Sequence, residues 1–116
     1  MVEFVIEAEK KRLTAKIYGD IDHHSAKYLR NDIDMKIDDA HPHTLIIDFS
    51  KVTFMDSSGI GLVMGRYKKM KISGGEVFIA NPPAYIKKVM NIAGINQICR
   101  IISTEQEEKI NAEKNN

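Results

Sequence analysis

Asp56-Ser57-Ser58-Gly59-Ile60-Gly61 is the segment whose residue types could carry chemistry: two adjacent hydroxyls, an acid before them and two glycines after. A serine hydroxyl can act as a nucleophile or accept a phosphoryl group. The nucleophile reading needs neighbours that are missing. The hydrolase elbow G-x-S-x-G puts a glycine two residues before the serine, and Met55 stands there. A serine nucleophile also needs a base, and nothing in the sequence places His23 or His24 beside Ser57. The dinucleotide fingerprint G-x-G-x-x-G becomes Gly59-x-Gly61-x-x-x-Gly65, one residue too long. No G-K-[ST] follows, which excludes a Walker-type loop. An enzyme is not expected, and no catalytic residue is assigned.

The acceptor reading fits the surroundings better. The hydroxyls fall between a buried-strand pattern and a helical one. Backbone N–H groups at a helix start lack partners, and the helix dipole is positive there. A phosphate can be held at such a place without refolding the chain, and it adds about −1.5 to −2 charges. Gly59 and Gly61 keep side chains away, so a second protein such as a kinase can approach closely. A plainer reading competes: Asp-Ser-Ser-Gly also caps helices, and Asp56 or Ser57 could do only that. The glycines could serve only helix–sheet packing.

Other residues of reactive type point to structure. His23 and His24 are adjacent, and His41 and His43 flank Pro42. Neither pair has the spacing of helical metal ligands, and Cys99 stands alone. These read as exposed turn histidines, and no metal or cofactor is expected. Met64, Tyr67 and Met70 read as helix core. Lys68, Lys69 and Lys71 read as a solvated face, as do Asp32, Asp34, Asp38 and Asp39.

The elements that must position the serines follow from periodicity. Phe4-Val5-Ile6 and the alternating Leu13 to Tyr18 read as two strands joined by a turn over 9–12, the second closed by Gly19-Asp20. A helix starts near Asp22, a good N-cap, with Ala26, Leu29, Ile33 and Ile37 as its stripe; Asp38, Asp39 and Pro42 mark its exit. Thr44 to Phe49 reads as a strand buried on both faces, followed by a loop from Ser50 to Met55. The second helix shows Ile60, Val63, Tyr67 and Met70 on one face and ends at Gly74-Gly75. Glu76 to Ala80 is a strand. Pro83 opens a third helix with Ile86, Val89, Met90 and Ala93 inside, ended by Gly94. Gln97 to Ile102 is a last strand. Thr104-Glu105-Gln106-Glu107 has a capping-box pattern, so residues 103–116 are expected to form a polar C-terminal helix or tail. The order β-β-α-β-α-β-α-β-α predicts a single α/β domain over 1–116 with its core at about 4–102 and a mixed sheet.

Composition narrows the partners. The chain has 116 residues, 43% hydrophobic and 28% charged, which suits one soluble globular domain. The formal net charge of +1 is not massed into a basic run, so a nucleic-acid partner is not expected. There is no Trp to build a stacking platform. A lone cysteine makes no internal disulfide. No apolar run approaches the ~20 residues of a membrane span, and the first residues lack a signal-peptide pattern. A cytoplasmic protein without membrane contact is expected.

Two stretches carry a family resemblance. Gly19-Asp20-Ile21-Asp22-His23-His24-Ser25-Ala26 resembles the G-[ED]-x-D-x-x-[ST]-A segment of STAS-domain anti-sigma-factor antagonists. Phe54-Met55-Asp56-Ser57-Ser58-Gly59-Ile60-Gly61 resembles that family's D-S-[ST]-G-x-G signature around a phosphorylated serine. The His-His pair and Gly65-Arg66-Tyr67-Lys68 resemble the stage II sporulation branch more than the general-stress branch. The resemblance spans Phe4 to about Ile102.

The resemblance implies a small mixed sheet with helices largely on one side. It implies that the unphosphorylated protein binds an anti-sigma factor that is also a serine kinase, freeing a sporulation sigma factor. The kinase would phosphorylate Ser57, the first serine, and the phosphoprotein would let go. A PP2C-type serine phosphatase would restore it. Partner contacts would come from Asp22, His23, Asp56, Ser57, Ser58, Gly59, Ile60 and Gly61. The alternative is a STAS-like module that senses a nucleotide or other small molecule.

Overall fold

The computed structural model describes residues 1–104. Leu13, Ala15 and Ile17 alternate with polar residues and are fully buried, which fixes one face of β2 (Arg12–Ile21). β1 (Val2–Glu7) pairs with it antiparallel through a short 3₁₀ turn at Ala8–Lys10. From β2 onward every neighbour is parallel. β3 (Thr44–Met55), β4 (Glu76–Ala80) and β5 (Arg100–Ile102) follow in chain order across one five-stranded sheet. Parallel neighbours need crossovers. These are α1 (His23–Ala40), α2 (Ser57–Ile72) and α3 (Ala84–Ile92), the last followed by a 3₁₀ turn at Ile95–Gln97.

One core joins the helices to one face of the sheet. Leu13, Leu45 and Val77 are register partners across β2, β3 and β4, as are Ala15, Ile47 and Ile79. They form a single buried cluster with Leu29, Ile33 and Ile37 of α1, Leu62, Val63 and Met70 of α2, and Ile86 and Met90 of α3. The predicted stripes are therefore the packed faces. Met64 and Tyr67 lie partly buried against that cluster, and Val89 does too. Ala93 instead caps the end of α3 and is exposed.

Three predicted boundaries are corrected. β2 does not close at Gly19-Asp20, and residues 50–55 are not a loop: both strands run on to Ile21 and Met55. The reason is bulging. From Arg12↔Thr44 to Ile21↔Met55, the ten residues of β2 face twelve of β3, with register shifts after Lys16 and after Gly19. Inward-facing buried residues of β3 therefore fall at Leu45, Ile47, Phe49, Val52 and Met55. Their spacing lengthens from two to three where each extra residue enters. Gly19, with φ at +87°, takes a backbone that other residues rarely adopt. The last strand is also shorter than predicted, because Ile95–Gln97 form the 3₁₀ turn. The C-terminal helix predicted after Ser103 lies outside the described residues, apart from Thr104.

Candidate functional site

Ile21 and Met55 are register partners at the ends of β2 and β3. Each is followed at once by an aspartate and then a helix. Asp22 caps α1, and Asp56 caps α2. Because the strands are parallel and finish level, the two helix starts stand side by side. The Asp56 N–H donates to the Ile21 carbonyl at 3.1 Å, which stitches the second start to the first strand. The two sequence motifs, with 27 residues between Ala26 and Phe54, thus meet at the C-terminal ends of the strands.

The bulges that bring the ends level are held by side chains. Asp48 Oδ1 accepts from the Ser50 N–H at 2.9 Å at the first. Thr53 Oγ1 donates to Asp20 Oδ1 at 2.6 Å at the second. The first contact supplies a partner to a backbone N–H beside the bulge; the second ties the two strands side chain to side chain.

Both caps are occupied. Asp22 Oδ1 accepts from the N–H groups of His24 at 3.0 Å and Ser25 at 2.8 Å. Ser25 Oγ returns the contact, accepting from the Asp22 N–H at 3.0 Å and donating to the Asp20 carbonyl at 2.9 Å. The Ser25 N–H holds the Asp22 carboxyl below the usual aspartate range, and the His24 N–H adds to this. At α2, Asp56 Oδ1 accepts from the Ser58 N–H at 2.7 Å. The capping role left open between Asp56 and Ser57 thus falls to Asp56. Ser57 is the first helical residue, exposed, with its hydroxyl unspent on capping. Ser58 is half-buried.

The two glycines part company. A Cβ at Gly59 would collide with Cγ and Sδ of buried Met55, so this glycine serves helix–sheet packing. A Cβ at Gly61 would meet nothing within 4 Å, and Gly61 is exposed. Ile60 is half-buried against the core. Asp22 and Asp56 are half-buried, and His23 is exposed in the first turn of α1.

His24 also lies in that first turn, its ring edge-on to Tyr28 with centroids 5.5 Å apart. His41 ends α1 in the left-handed region at φ +47°, and both it and His43 are exposed.

Two features escaped the sequence reading. Behind the helix starts, Arg66 of α2 is buried and its Nε lies 2.8 Å from Asp34 Oδ1 of α1. Lys69 Nζ lies 2.9 Å from Asp38 Oδ1 one turn further on. Asp34, Asp38 and Lys69 are therefore seam residues between the helices and not purely solvated faces. Burial pushes the Arg66 guanidinium's pKa down, and Asp34 pulls it back up. The one signal in the sequence was Arg66's place, four residues after Leu62 and four before Met70, inside the apolar stripe; its partner on α1 left none. The second feature is a cleft of about 350 Å³ between α1 and α2, lined by His23, Ala26, Lys27 and Arg30 on one side and Ser58, Gly61 and Leu62 on the other. Positions 23, 27 and 30 follow helical spacing, which was the available signal.

Comparison with known proteins identifies the family and the fold. The STAS domain family matches residues 4–108. The chain belongs to the STAS-domain family. The anti-sigma F factor antagonist of Paenibacillus polymyxa is 32% identical over 104 residues, covering 86% of this chain and 87% of that protein. The solved anti-sigma factor antagonist SpoIIAA in its unphosphorylated form superposes with a TM-score of 0.80 at 26% identity, covering 100% of this chain and 98% of its own. The Bacillus cell fate determinant SpoIIAA in the phosphorylated form gives 0.73 at 27%, covering 97% and 98%. The predicted α/β STAS fold with a mixed sheet is thus observed. No helix among the described residues is long and apolar enough to cross a membrane.

Proposed function

We propose that this chain is a cytoplasmic anti-sigma-factor antagonist switched by phosphorylation of Ser57. Unphosphorylated, it binds an anti-sigma factor that is also a serine kinase, and so releases a sporulation sigma factor. The observation that carries this reading is an exposed Ser57 at the first position of α2, freed from capping by Asp56 and set beside the Asp22–His23 start of α1. Similarity to antagonists of sigma F regulation supports it, as does a solved relative described as phosphorylated.

The mechanism is one of contact. The kinase docks on the paired helix starts, with Asp22, His23, Ser58, Ile60 and Gly61 around Ser57. Transfer from ATP places a dianion at the centre of that contact. A phosphate pressed into a close interface loses its water and meets the Asp56 carboxylate next to it. The complex separates, and a PP2C-type phosphatase resets the protein by hydrolysing the ester. The chain itself catalyses nothing.

Incubation with ATP and the host's anti-sigma kinase, followed by mass mapping, tests this. Phosphate on Ser57 together with lost kinase binding is the expected result. Absence of both binding and labelling, with nucleotides binding the chain directly, would favour the small-molecule module instead.

A further inference from the structure

The seam between α1 and α2 is charge-matched at one end only. At the far end, Asp34 meets Arg66 and Asp38 meets Lys69. At the near end, α1 offers His23, Lys27 and Arg30 to the cleft, while residues 57–65 of α2 carry no charge at all. Among the described residues, neither Lys27 nor Arg30 has an acid within ion-pair distance, and both are exposed. Of the carboxylates around them, Asp34, four residues after Arg30, is paired with Arg66, and Asp22 and Asp56 are turned onto the backbone N–H groups they cap. The positive start of α2 adds to the same field. Arg30 also adds its positive charge near Arg66, helping to hold that guanidinium's pKa down after burial has lowered it.

We propose that this cleft seats an acidic side chain of the anti-sigma kinase, with Lys27 and Arg30 as its counter-charges. The proposal rests on the function given above and names the chemistry of the partner at that site. Ser58 and Gly61 line the cleft, and Ser57 directly precedes Ser58, so whatever phosphorylates Ser57 must cover it. Gly61 leaves room for an incoming side chain, since nothing stands within 4 Å of where its Cβ would be. A carboxylate fits better than a nucleotide. The lining has no aromatic ring beyond the His23 imidazole on which a base could stack. A guanidinium and an ammonium on adjacent helical turns suit a fork of two oxygens.

Calorimetry with the purified kinase and the full chain is the test. Lys27→Glu and Arg30→Glu should each weaken binding about tenfold and the double variant about a hundredfold, as expected for charges reversed inside a contact. Arg30→Lys and Lys27→Arg should stay within about threefold of the parent. Lys11→Glu, the same change in net charge at the opposite end of the sheet, should leave affinity unchanged. Circular dichroism checks that each variant folds. If the parent binds the kinase and the double reversal binds equally well, or if Lys11→Glu weakens it as much, the cleft assignment falls while the function stands. If the parent does not bind the kinase, the function falls and the assignment with it. If inorganic phosphate or ATP alone binds the parent and Arg30→Glu abolishes that, the cleft is a free-anion site and the assignment is overturned.

Discussion

Arg66 Nε and Asp34 Oδ1, 2.8 Å apart, tie α2 to α1 more than two turns past the two helix starts. The N–H is not aligned for a hydrogen bond, and Arg66 Nη1 has no acceptor either, so charge holds the pair. Arg66 is 5% exposed, whereas the Asp34 side chain is 30% exposed. Removing the acid strands a buried cation. Removing the base leaves a carboxylate that can rehydrate.

That asymmetry gives the first prediction. Asp34→Ala should destabilise the fold by about 3 kcal/mol, because it leaves an uncompensated buried charge. Arg66→Met, which fills the space without charge, should cost less than about 1.5 kcal/mol. Urea denaturation measures both. Equal losses would mean that packing, not charge, sets the value of this contact.

Asp22 separates capping from recognition. Asp22→Ala should lower stability through the lost N-cap, whereas Asp22→Asn, which can still cap, should cost little. Weakened kinase binding in both variants would place the carboxylate itself in the interface; normal binding in Asp22→Asn would leave it only a cap. The folded carboxyl titrates below its unfolded value. Its contribution is therefore complete above about pH 4 and is lost as pH falls through the lowered folded value. Asp22→Asn should remove that acid limb from the stability profile.

The glycines should respond in opposite directions. Gly61→Ala should stabilise the chain by about 1 kcal/mol, since alanine is the better helix former and the space is open. It should also weaken kinase binding, because the new methyl faces the cleft. Gly59→Ala should destabilise by about 1–2 kcal/mol, as the strain against Met55 exceeds the propensity gain. Thermal melts and kinase titrations of the two variants check all four outcomes.

Ser57→Ala should abolish labelling and keep binding, giving a permanently active antagonist. Phosphorylation should cost at least about 3 kcal/mol of binding, more than a hundredfold in affinity. The backbone should hardly move, because a dianion at the start of α2 is favoured by the helix dipole and opposed by Asp56. Ser57→Asp should mimic the inactive form only in part. Phosphate found mainly on half-buried Ser58, or a backbone shift well beyond ~1 Å between the two forms, would overturn this account.

Cys99 should stay silent at neutral pH. Burial pushes its thiol up to about 11, against an opposing pull from Lys71. Iodoacetamide should label it only on unfolding. The unfolded thiol ionises near about 8.5, so this group's stabilisation holds below that pH and fades as pH rises toward the folded value. Rapid labelling of the native protein at pH 7.5 would contradict the burial.

The helices and the two capped starts at which the candidate residues stand were largely legible from the sequence, and the strand ends were not. The stripes Leu29–Ile33–Ile37 and Val63–Met70 appear as cores because a helix of unbroken pitch preserves its spacing. β3 hides its length because each bulge changes the step between inward residues, so Val52 and Met55 no longer look like continuations of Phe49. Gly19 reads as a terminator, and only the pairing of Asp20 with Phe54 shows that the strand passes through it. The seam of Asp34 with Arg66 was hidden differently. A charge on an amphipathic helix looks solvated until the facing helix is known.

The level finish of β2 and β3 has a consequence for what counts as a substrate. The surface around Ser57 is assembled from residues 20–25 and 53–61, and only the folded sheet brings them together. A peptide containing Ser57 would carry the acceptor without the neighbouring helix start. Neither would a chain paired one residue out of step present it, since slipping the register moves every following side chain to the other face. The kinase would then act as an inspector of conformation: a misfolded or half-made copy escapes both capture and marking, and only finished molecules enter the switch.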